Sequence, residues 1–560
     1  MSCKVVTALA IFFLIIGAET CQAKKILCLM GIGAGTTDKW NKALLQELEN
    51  RQHQLTIVTA TSWTTDEDVF PNARLVHLEK TQVALKERYE SITIGDLLKQ
   101  STWKNIIQWY DRQMATCRAN LESIGFSEAL HLALKEKGKY DLIIYDIAYG
   151  AGCLLHLAYL FGNTPIIGIT SGPLNSQSLF TAHESLLNPA LDPHILSDFN
   201  EDMNYWKRWH NTALYAFDYL YQKWVLKPVI EGLWAKNMHA KNIFTPNDFK
   251  ELMPRFQVVL ANHHPSLHSL QSLPANVVAV PGLHIQETSK TSLSSEILKF
   301  IESGIAEAIL VELQEDIVGL ENIIKFFEAL KSFPQTRIIW ANQGQANSKK
   351  LQKNQPQNLM VTASDQTPQI LAHPKVKCSV ISSNLVDIQE SLYHGVVPLT
   401  ITTKPEQRYI AQRLLERNLG LNIELTSFEE VDVIRQNLKN CLKETSLSKN
   451  VHQFERSMKE QQNPSMATAT WWVEHILQNP KANDHLWTSR KDSSNFLVIR
   501  SLDIIVVIQI FLVLCVINSV MVMRQTIANF KEMGKKSKKK IQGGKIESLK
   551  KLKKSKSKTS

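Results

Sequence analysis

Cysteine is scarce in this chain, and its spacing excludes a zinc site or a disulfide scaffold. The 560 residues contain 8 cysteines, of which three lie in long apolar segments near the two ends. The remaining five are widely spaced and include no C-x-x-C pair, which is the usual metal-binding arrangement. Cys28 and Cys378 lie in apolar runs typical of strands, and we expect both to be buried free thiols.

The folded part of the chain also lacks an excess of positive charge, although the formal net charge is +10. Residues 524–560 contain one arginine and 13 lysines against two glutamates, so this tail carries +12 and the rest of the chain −2. The composition therefore gives no support for nucleic-acid binding by the folded part.

A dinucleotide-binding motif is absent as well. The first strand, predicted at residues 25–30, runs into Gly31, Gly33 and Gly35, whose spacing is G-x-G-x-G rather than G-x-G-x-x-G. The second strand, predicted at residues 55–59, ends in Thr-Ala-Thr without the acidic residue that would hold a ribose. We interpret the glycines as a tight turn between the strand and the next helix.

Two apolar segments indicate a membrane protein. Residues 1–23 contain a lysine, an apolar core and small residues before a cleavage site, the pattern of a secretory signal peptide, with a retained anchor as the alternative. Residues 504–523 are long enough to cross a bilayer as a helix, and the Lys-rich tail at 524–560 is expected to stay cytosolic. The predicted topology is single-pass type I with a lumenal body.

The last residues of the tail predict a compartment. Lys556 and Lys558 lie near the end of the chain and resemble a dilysine signal for retrieval to the endoplasmic reticulum. Attraction of the lysines to anionic lipid headgroups is an alternative that is compatible with retrieval. We therefore expect the protein in the endoplasmic reticulum membrane.

Between the apolar segments, strand-like and helix-like patterns alternate in two blocks. In the first block, strands are predicted at 25–30, 55–59, 140–146 and 164–170, and helices at 38–51, through most of 84–138, and at 150–161. In the second, strands are predicted at 307–313, 336–341, 378–382 and 396–401, and helices at 320–333, 387–394, 406–416, 428–442 and 452–478. The alternation predicts an α/β fold with two Rossmann-like, doubly wound domains facing a cleft.

The domain boundaries follow from these blocks. We predict an N-terminal domain at residues 24–273, a Pro-containing linker at 274–290, a C-terminal domain at 291–445 and further helices at 446–500. Aromatic residues on helix-like spacing are frequent between residues 179 and 252. They include Trp206, Trp209, Tyr215, Phe217, Tyr219, Tyr221, Trp224 and Trp234. Core packing, a pocket for an apolar ligand and contact with a membrane surface are all open interpretations of this run.

Several short motifs identify a family resemblance. They are Pro281-Gly-Leu-His284, Leu371-Ala-His-Pro374, Gln389-Glu390 followed by Tyr393-His-Gly395, and Thr468-Ala-Thr-Trp-Trp472. With these motifs the chain resembles the membrane-bound UDP-glycosyltransferases, which include the UDP-glucuronosyltransferases, from about Lys25 to the tail. The resemblance implies a GT-B fold, an N-terminal acceptor domain and a C-terminal domain that binds a UDP-sugar as co-substrate. It implies neither a metal nor another cofactor.

The catalytic residues implied by the resemblance are only partly present. In the family a histidine removes the proton of the acceptor hydroxyl and an aspartate orients that histidine. Asp146 stands at the aspartate position, whereas Thr37 stands at the histidine position. Because a threonine hydroxyl is not basic near neutral pH, Asp146 is left as a direct base or, alternatively, as the cap of a helix.

The implied phosphate-binding residues are replaced. Ser382, Ser383 and Asn384 stand where the family has His-Gly-Gly. Asp387 stands where a small hydroxyl residue would contact phosphate, and a carboxylate there repels a diphosphate unless its charge is compensated. Gln314-Glu315 replaces a Gly-Ser pair, which adds a further negative charge.

The implied ribose and sugar contacts are better preserved. Glu390 stands at the ribose-binding glutamate, and Glu406-Gln407 replaces the Asp-Gln pair that contacts the sugar. The family's uracil-stacking tryptophan and an arginine are replaced by Ser364 and Ala341. His394-Gly395 is present, but it lies at a predicted helix end and is explained equally well as a C-terminal cap.

Two functional hypotheses follow from this mixture. The first is a transferase that moves a hexose or glucuronic acid from a UDP-sugar to small lipophilic acceptors. The second is a catalytically inactive pseudo-glycosyltransferase that binds a lipophilic ligand or pairs with an active family member. Homo- or hetero-oligomers are compatible with both hypotheses.

Overall fold

The computed structural model describes most of the chain. It covers residues 23–31, 38–61, 63, 69–90, 94–135, 139–148, 152–183, 187–240, 256–268, 273–285, 293–313, 318–341, 349–428, 430–461, 463–481 and 502–556. Thr37, Gln314, Glu315 and all but the last residue of the predicted signal peptide lie outside these residues. The chain divides into two units, Met1–Leu486 and Trp487–Ser560.

The N-terminal half of the first unit contains a parallel sheet with the order β3-β2-β1-β4-β5-β6-β7. Its strands are β1 Lys25–Met30, β2 Gln54–Thr59, β3 Arg74–His77, β4 Leu142–Asp146, β5 Ile166–Thr170, β6 Phe256–Ala261 and β7 Val277–Ala279. Strands β4 and β5 are buried along their whole length, which explains their continuous apolar sequence. The strand order reverses between β1 and β4, and ligands bind at such a reversal in doubly wound sheets.

Helices pack around this sheet. They are α1 Asp38–Asn50, α2 Glu79–Glu90, α3 Ile94–Lys99, α4 Thr102–Glu122, α5 Ile124–Lys135, α6 Ser176–His183, α7 Tyr205–Tyr221 and α8 Lys227–Ala240, with a π-helical turn at Gln222–Leu226 joining α7 to α8. In α1, Trp40, Leu44 and Leu48 form one buried face, as their spacing predicts.

The second parallel sheet has the order β10-β9-β8-β11-β12-β13. Its strands are β8 Ala308–Glu312, β9 Arg337–Ala341, β10 Leu359–Thr362, β11 Val376–Ser382, β12 Val397–Thr402 and β13 Leu421–Glu424. The strand order reverses here between β8 and β11. The predicted pair of doubly wound sheets is therefore confirmed.

The helices of this half complete the first unit. They are α9 Ser295–Glu302, α10 Leu320–Leu330, α11 Lys349–Asn354, α12 Thr367–Leu371, α13 Leu385–Tyr393, α14 Gln407–Glu416, α15 Val431–Lys443, α16 Thr445–Lys459 and α17 Ser465–Gln478. Helix α17 returns to the N-terminal half, where Ala469, Val473 and Ile476 share a hydrophobic core with Trp40 and Leu44 of α1.

Polar contacts also join the two halves. The buried carboxylate of Asp192 accepts hydrogen bonds from the Tyr215 hydroxyl at 2.8 Å and from the Tyr409 hydroxyl of α14 at 2.9 Å. Arg417 forms an ion pair with Glu201 at 2.8 Å. The two sheets therefore belong to one body in which side chains from both halves meet.

Three local predictions need correction. The range predicted as linker, 274–290, contains β7, because Val277 and Val278 pair with β6 and extend the first sheet. The helix predicted at 150–161 is a 3₁₀ helix at Leu154–Phe161. The helix predicted at 452–478 is two helices, α16 and α17, since Pro464 lacks the N–H that a continuous helix would need.

The cysteines depart from the prediction at one position. Cys28 is a buried free thiol, as expected, and its burial raises its pKa. Cys378 is instead bonded to Cys441, because α15 packs against β11 and brings the two Cα atoms to 5.7 Å. A second disulfide joins Cys117 and Cys153.

The aromatic run divides between the core and the surface. Trp234 is fully buried and Tyr215 is nearly so. Trp206, Trp209 and Trp224 are 73%, 62% and 67% exposed. Core packing therefore explains only part of the run, because one side of the α7–α8 segment faces outward.

The second unit contains a long helix, α18 Leu502–Lys556. The part from Ile504 onward is long and apolar enough to cross a membrane and is not buried by other parts of the protein. The predicted span at 504–523 lies within this helix, which continues into the lysine-rich tail.

Gly395 offers a test of how α13 ends. Its φ of +71° is strained for other residues, and an added Cβ would lie 2.5 Å from Glu455 Oε2. We expect Gly395→Ala to lower the free energy of unfolding by about 1–2 kcal/mol, measured by urea titration. The matched control is Gly232→Ala within α8, where an added Cβ meets nothing within 4 Å. This control should be neutral or stabilising by up to about 1 kcal/mol, and equal losses in both variants would contradict the interpretation.

Candidate functional site

The candidate site lies where the strand reversals of the two sheets meet. Asp146 ends β4 and α1 begins at Asp38, next to the reversal of the first sheet. Glu312 ends β8 and α13 follows β11, next to the reversal of the second sheet. Because all strands in each sheet are parallel, the polar residues that follow them gather at one edge.

Asp146 is held by its neighbours in the N-terminal half. It is 3% exposed, and its Oδ1 accepts a hydrogen bond from the Ala148 amide at 2.9 Å. Its Oδ2 accepts a bond from Asn41 Nδ2 of α1 at 3.0 Å. Asn41 lies four residues after Thr37 in the sequence, and its side-chain amide contacts the carboxylate that, in the family, orients the catalytic histidine. The Asp146 carboxylate thus accepts a hydrogen bond from the backbone amide two residues later in the chain. It does not cap the 3₁₀ helix that begins at Leu154.

The surroundings of Asp146 change its acidity. Burial raises the pKa of its carboxyl from 3.8 to about 7, and the hydrogen bonds from Ala148 and Asn41 lower it only in part. A carboxyl with this pKa changes its protonation state at neutral pH. It can therefore accept a proton from a hydroxyl group that reaches it.

An ion pair joins the two halves at the centre of the site. The Lys39 ammonium of α1 lies 3.2 Å from Asp387 Oδ1 and 3.2 Å from Glu390 Oε2, both on α13. Burial lowers the pKa of Lys39, but the adjacent carboxylates of Asp387 and Glu390 more than offset this and hold it well above its usual value. Lys39 is therefore charged, and it compensates Asp387.

Glu312 is a third carboxyl group at this point. Its Oε1 accepts a hydrogen bond from the Thr367 hydroxyl at 2.6 Å. Burial raises its pKa to about 7; the Lys39 charge opposes this rise, whereas the charges of Asp387 and Glu390 add to it. Glu312 is consequently partly protonated near neutral pH, which limits the negative charge of the cluster.

The side chains at the family's phosphate-binding positions bond to neighbouring residues of the same half of the protein. Ser383 is buried, and its Oγ contacts Thr402 Oγ1 at 2.9 Å and Asn422 Oδ1 at 3.2 Å. Asn384 caps α13 by accepting a bond from the Val386 amide at 3.2 Å. The Ser382 hydroxyl accepts a bond from Gln407 Nε2 at 3.0 Å.

Gln407 and Glu406, which stand at the sugar-contacting positions of the family, differ in whether their side chains are already hydrogen-bonded. Gln407 Oε1 accepts hydrogen bonds from the amides of Thr403 and Lys404 at 2.8 Å and 3.0 Å, so its side chain is engaged within the loop before α14. Glu406 Oε2 is a buried oxygen with no hydrogen-bond partner among the described residues. Of the two, Glu406 has the free acceptor that a sugar hydroxyl could use.

The remaining predicted positions lie at the beginnings or ends of helices and strands. His394 and Gly395 end α13, and the positive φ of Gly395 supports the cap interpretation. Ser364 begins a 3₁₀ turn and Ala341 ends β9. Among the described residues, no group of three or more His, Cys, Asp and Glu side chains is placed to hold a metal.

Sequence reasoning did not identify Lys39, Asn41 and Glu312 as site residues. The position of each gave a signal, because Lys39 and Asn41 follow the glycine turn and Glu312 ends a strand. His284 ends the motif Pro281-Gly-Leu-His284. Burial and the charge of Lys39 together lower the pKa of the His284 imidazole to about 3, so the imidazole is neutral near pH 7.

Comparison with known proteins agrees with this architecture. Human UDP-glucuronosyltransferase 2B15 is 22% identical over 536 residues, covering 89% of this chain and 92% of that protein. UDP-glycosyltransferase UGT4 of Dactylopius coccus is 24% identical over 450 residues, covering 78% and 82%. Among solved structures, glycosyltransferase VinC in complex with DTDP matches with a TM-score of 0.53 and 13% identity, covering 81% of this chain and all of that one.

The fold and the comparisons define the class. The two doubly wound sheets with their facing strand ends are those of a GT-B glycosyltransferase fold. The family model described as UDP-glucoronosyl and UDP-glucosyl transferase matches residues 35–540, and the chain belongs to that family.

The raised pKa of Asp146 predicts a dependence of stability on pH. The folded state keeps the proton between pH 4 and 7, where the unfolded state loses it, so this residue destabilises the fold increasingly as pH rises. We expect Asp146→Asn to gain about 1–4 kcal/mol of stability relative to wild type between pH 4 and pH 8.

Urea titrations of both proteins across this pH range measure the effect. The exposed Asp198 provides the control, and Asp198→Asn should run parallel to wild type. Parallel curves for Asp146→Asn and wild type would show that the Asp146 carboxyl titrates normally.

Proposed function

We propose that the protein transfers a hexose or glucuronic acid from a UDP-sugar to the hydroxyl group of a small lipophilic acceptor, with Asp146 as the base. Membership of the UDP-glycosyltransferase family supports the reaction class. The observation on which the proposal rests is the Asp146 carboxyl, which is buried at the strand-end site and has a pKa of about 7. Such a group can take the proton of an attacking hydroxyl without the histidine that Thr37 replaces.

The donor side is compatible with this function in two respects. The charge of Asp387, which would repel a diphosphate, is compensated by Lys39 at 3.2 Å. Glu390 has a second oxygen besides the one bound to Lys39, so it can still accept a ribose hydroxyl. Glu406 has a free oxygen for the sugar.

Turnover measurements test the role of Asp146. The full-length protein in detergent is given UDP-glucose, UDP-galactose or UDP-glucuronic acid with 1-naphthol, and the conjugate is measured by chromatography. We expect Asp146→Asn to lower kcat by a factor of about 10² to 10⁴ while the KM for the donor stays nearly constant. In wild type, kcat should rise with pH through about 7, because only the ionised carboxylate accepts a proton.

Asn41 provides the control for this assignment. Its hydrogen bond favours the ionised carboxylate, so Asn41→Ala should move the rise in kcat to higher pH without abolishing turnover. An unchanged profile in Asn41→Ala, or full activity in Asp146→Asn, would exclude Asp146 as the base.

A second candidate function is a non-catalytic protein that binds a lipophilic ligand or an active family member. The specific observation in its favour is that the side chains of Ser382, Ser383 and Gln407 are already engaged: Gln407 bonds to Ser382 and to the loop before α14, and Ser383 bonds to Thr402. Calorimetry separates the candidates. A folded protein that binds no UDP-sugar at millimolar concentration has the second function, and the transferase proposal is then wrong.

We also propose that the body lies in the lumen of the endoplasmic reticulum and the tail in the cytosol. The two disulfides support an oxidising lumen, and α18 provides one candidate span. In microsomes, an epitope appended after Ser560 should be digested by added protease while the body is protected. Protection of the epitope in sealed microsomes would contradict this topology.

A further inference from the structure

The donor half of the site depends on a cation that comes from the acceptor half. Lys39 belongs to the first turn of α1, whereas Asp387 and Glu390 belong to α13, about 350 residues later in the chain. Among the described residues, Lys39 is the cation that forms ion pairs with these two carboxylates. No cation from the second sheet or its helices is seen to do so in the part of the chain that the structure describes.

We propose that Lys39 is the diphosphate-binding cation of this protein and replaces the phosphate ligands that Ser382, Ser383 and Asn384 do not provide. This inference rests on the proposed function, because it names the residue that binds the UDP-sugar. When the donor enters, Lys39 leaves Glu390, which then accepts the ribose hydroxyls. Lys39 keeps its contact with Asp387 and donates to the phosphate oxygens.

The position of Lys39 supports this role. Its ammonium lies beside Asp387, at the residue where the family resemblance places a phosphate contact. The Lys39 side chain is 39% exposed, whereas the side chains of Asp387 and Glu390 are 5% and 6% exposed, so Lys39 is the most accessible side chain of the three. An ammonium with three donors can bond a carboxylate and a phosphate oxygen at the same time.

The groups around the Lys39 ammonium determine the charge that a diphosphate meets at this point. Asp387 and Glu390 together bring two negative charges, Lys39 brings one positive charge, and His284 is neutral. Glu312 adds a further negative charge as it ionises near pH 7. Lys39 therefore has to offset the charge of these carboxylates when a diphosphate binds.

Calorimetry of UDP binding to the full-length protein in detergent tests the inference. Uridine is the second probe, because it has no diphosphate. We expect Lys39→Ala to weaken UDP binding about 10- to 100-fold and to leave uridine binding unchanged. Lys39→Arg should stay within about fivefold of wild type, because the guanidinium keeps the charge. The matched control is Lys42→Ala, one turn further along α1, where both affinities should equal those of wild type.

Asp387→Asn tests the charge balance in the opposite direction. Removing the carboxylate frees Lys39 for phosphate, so UDP should bind several-fold more tightly. Lys39→Ala leaves two buried carboxylates without their cation, which destabilises the fold. Asp387→Asn leaves no buried carboxylate without its cation, so it tests the charge balance without this destabilisation. Weaker binding of UDP to a folded Asp387→Asn protein would overturn the charge argument.

The possible results separate this inference from the proposed function. If Lys39→Ala binds UDP and uridine more tightly, Lys39 blocks the site as an internal latch and the inference is wrong. If Lys39→Ala binds UDP as wild type does while wild type turns over UDP-sugar, the inference fails and the transferase function stands. If wild type binds no UDP, both are wrong.

Discussion

The central physical constraint in this protein is the need to compensate carboxylates placed at the meeting ends of two parallel sheets. In a parallel sheet, the residues that follow the strands gather at one edge. Here the edge of the first sheet has Asp146, and the edge of the second sheet has Glu312, Asp387 and Glu390. A buried carboxylate must find a cation, accept hydrogen bonds or keep its proton. The structure uses all three solutions, since Asp387 and Glu390 pair with Lys39, Asp146 accepts amide hydrogen bonds, and Glu312 titrates near neutral pH.

These solutions also explain why the two halves belong together. The ion pairs of Lys39 and the bonds of Asp192 to Tyr215 and Tyr409 need groups from both sheets. Helix α17 adds apolar contact to α1, so the helix that presents Lys39 and Asn41 is also held by packing against α17. The chemistry of the site and the packing of the halves therefore depend on the same helix.

Much of the fold could be predicted from local sequence patterns. The apolar runs of β4, β5 and β12 and the buried face of α1 are set by periodicity within each segment, and their bounds differ from the prediction by one or two residues. The disulfide of Cys378 with Cys441 and the strand at Val277–Ala279 were missed because they depend on a partner distant in the sequence.

Prediction from local sequence patterns is more limited at the site than in the fold. The placement of Asp146 at the end of β4 and of Glu390 on the helix after β11 could be predicted, because each stands in a recognisable local motif. The pairing of Lys39 with Asp387 could not, since nothing within either segment indicates that they lie 3.2 Å apart. Sequence alone therefore described the donor site as more repulsive than the structure makes it.

The replacement of a histidine by an amide network changes how a base could work here. An imidazole is basic near neutral pH in water and needs only orientation, whereas an exposed carboxylate is too weakly basic at pH 7 to remove a proton efficiently. Burial of Asp146 raises its pKa to about 7 and so gives it basicity similar to that of an imidazole. The bond from Asn41 keeps the ionised form accessible. A buried aspartate and one amide can thus supply what a His–Asp pair supplies, provided that the acceptor hydroxyl reaches the carboxylate itself.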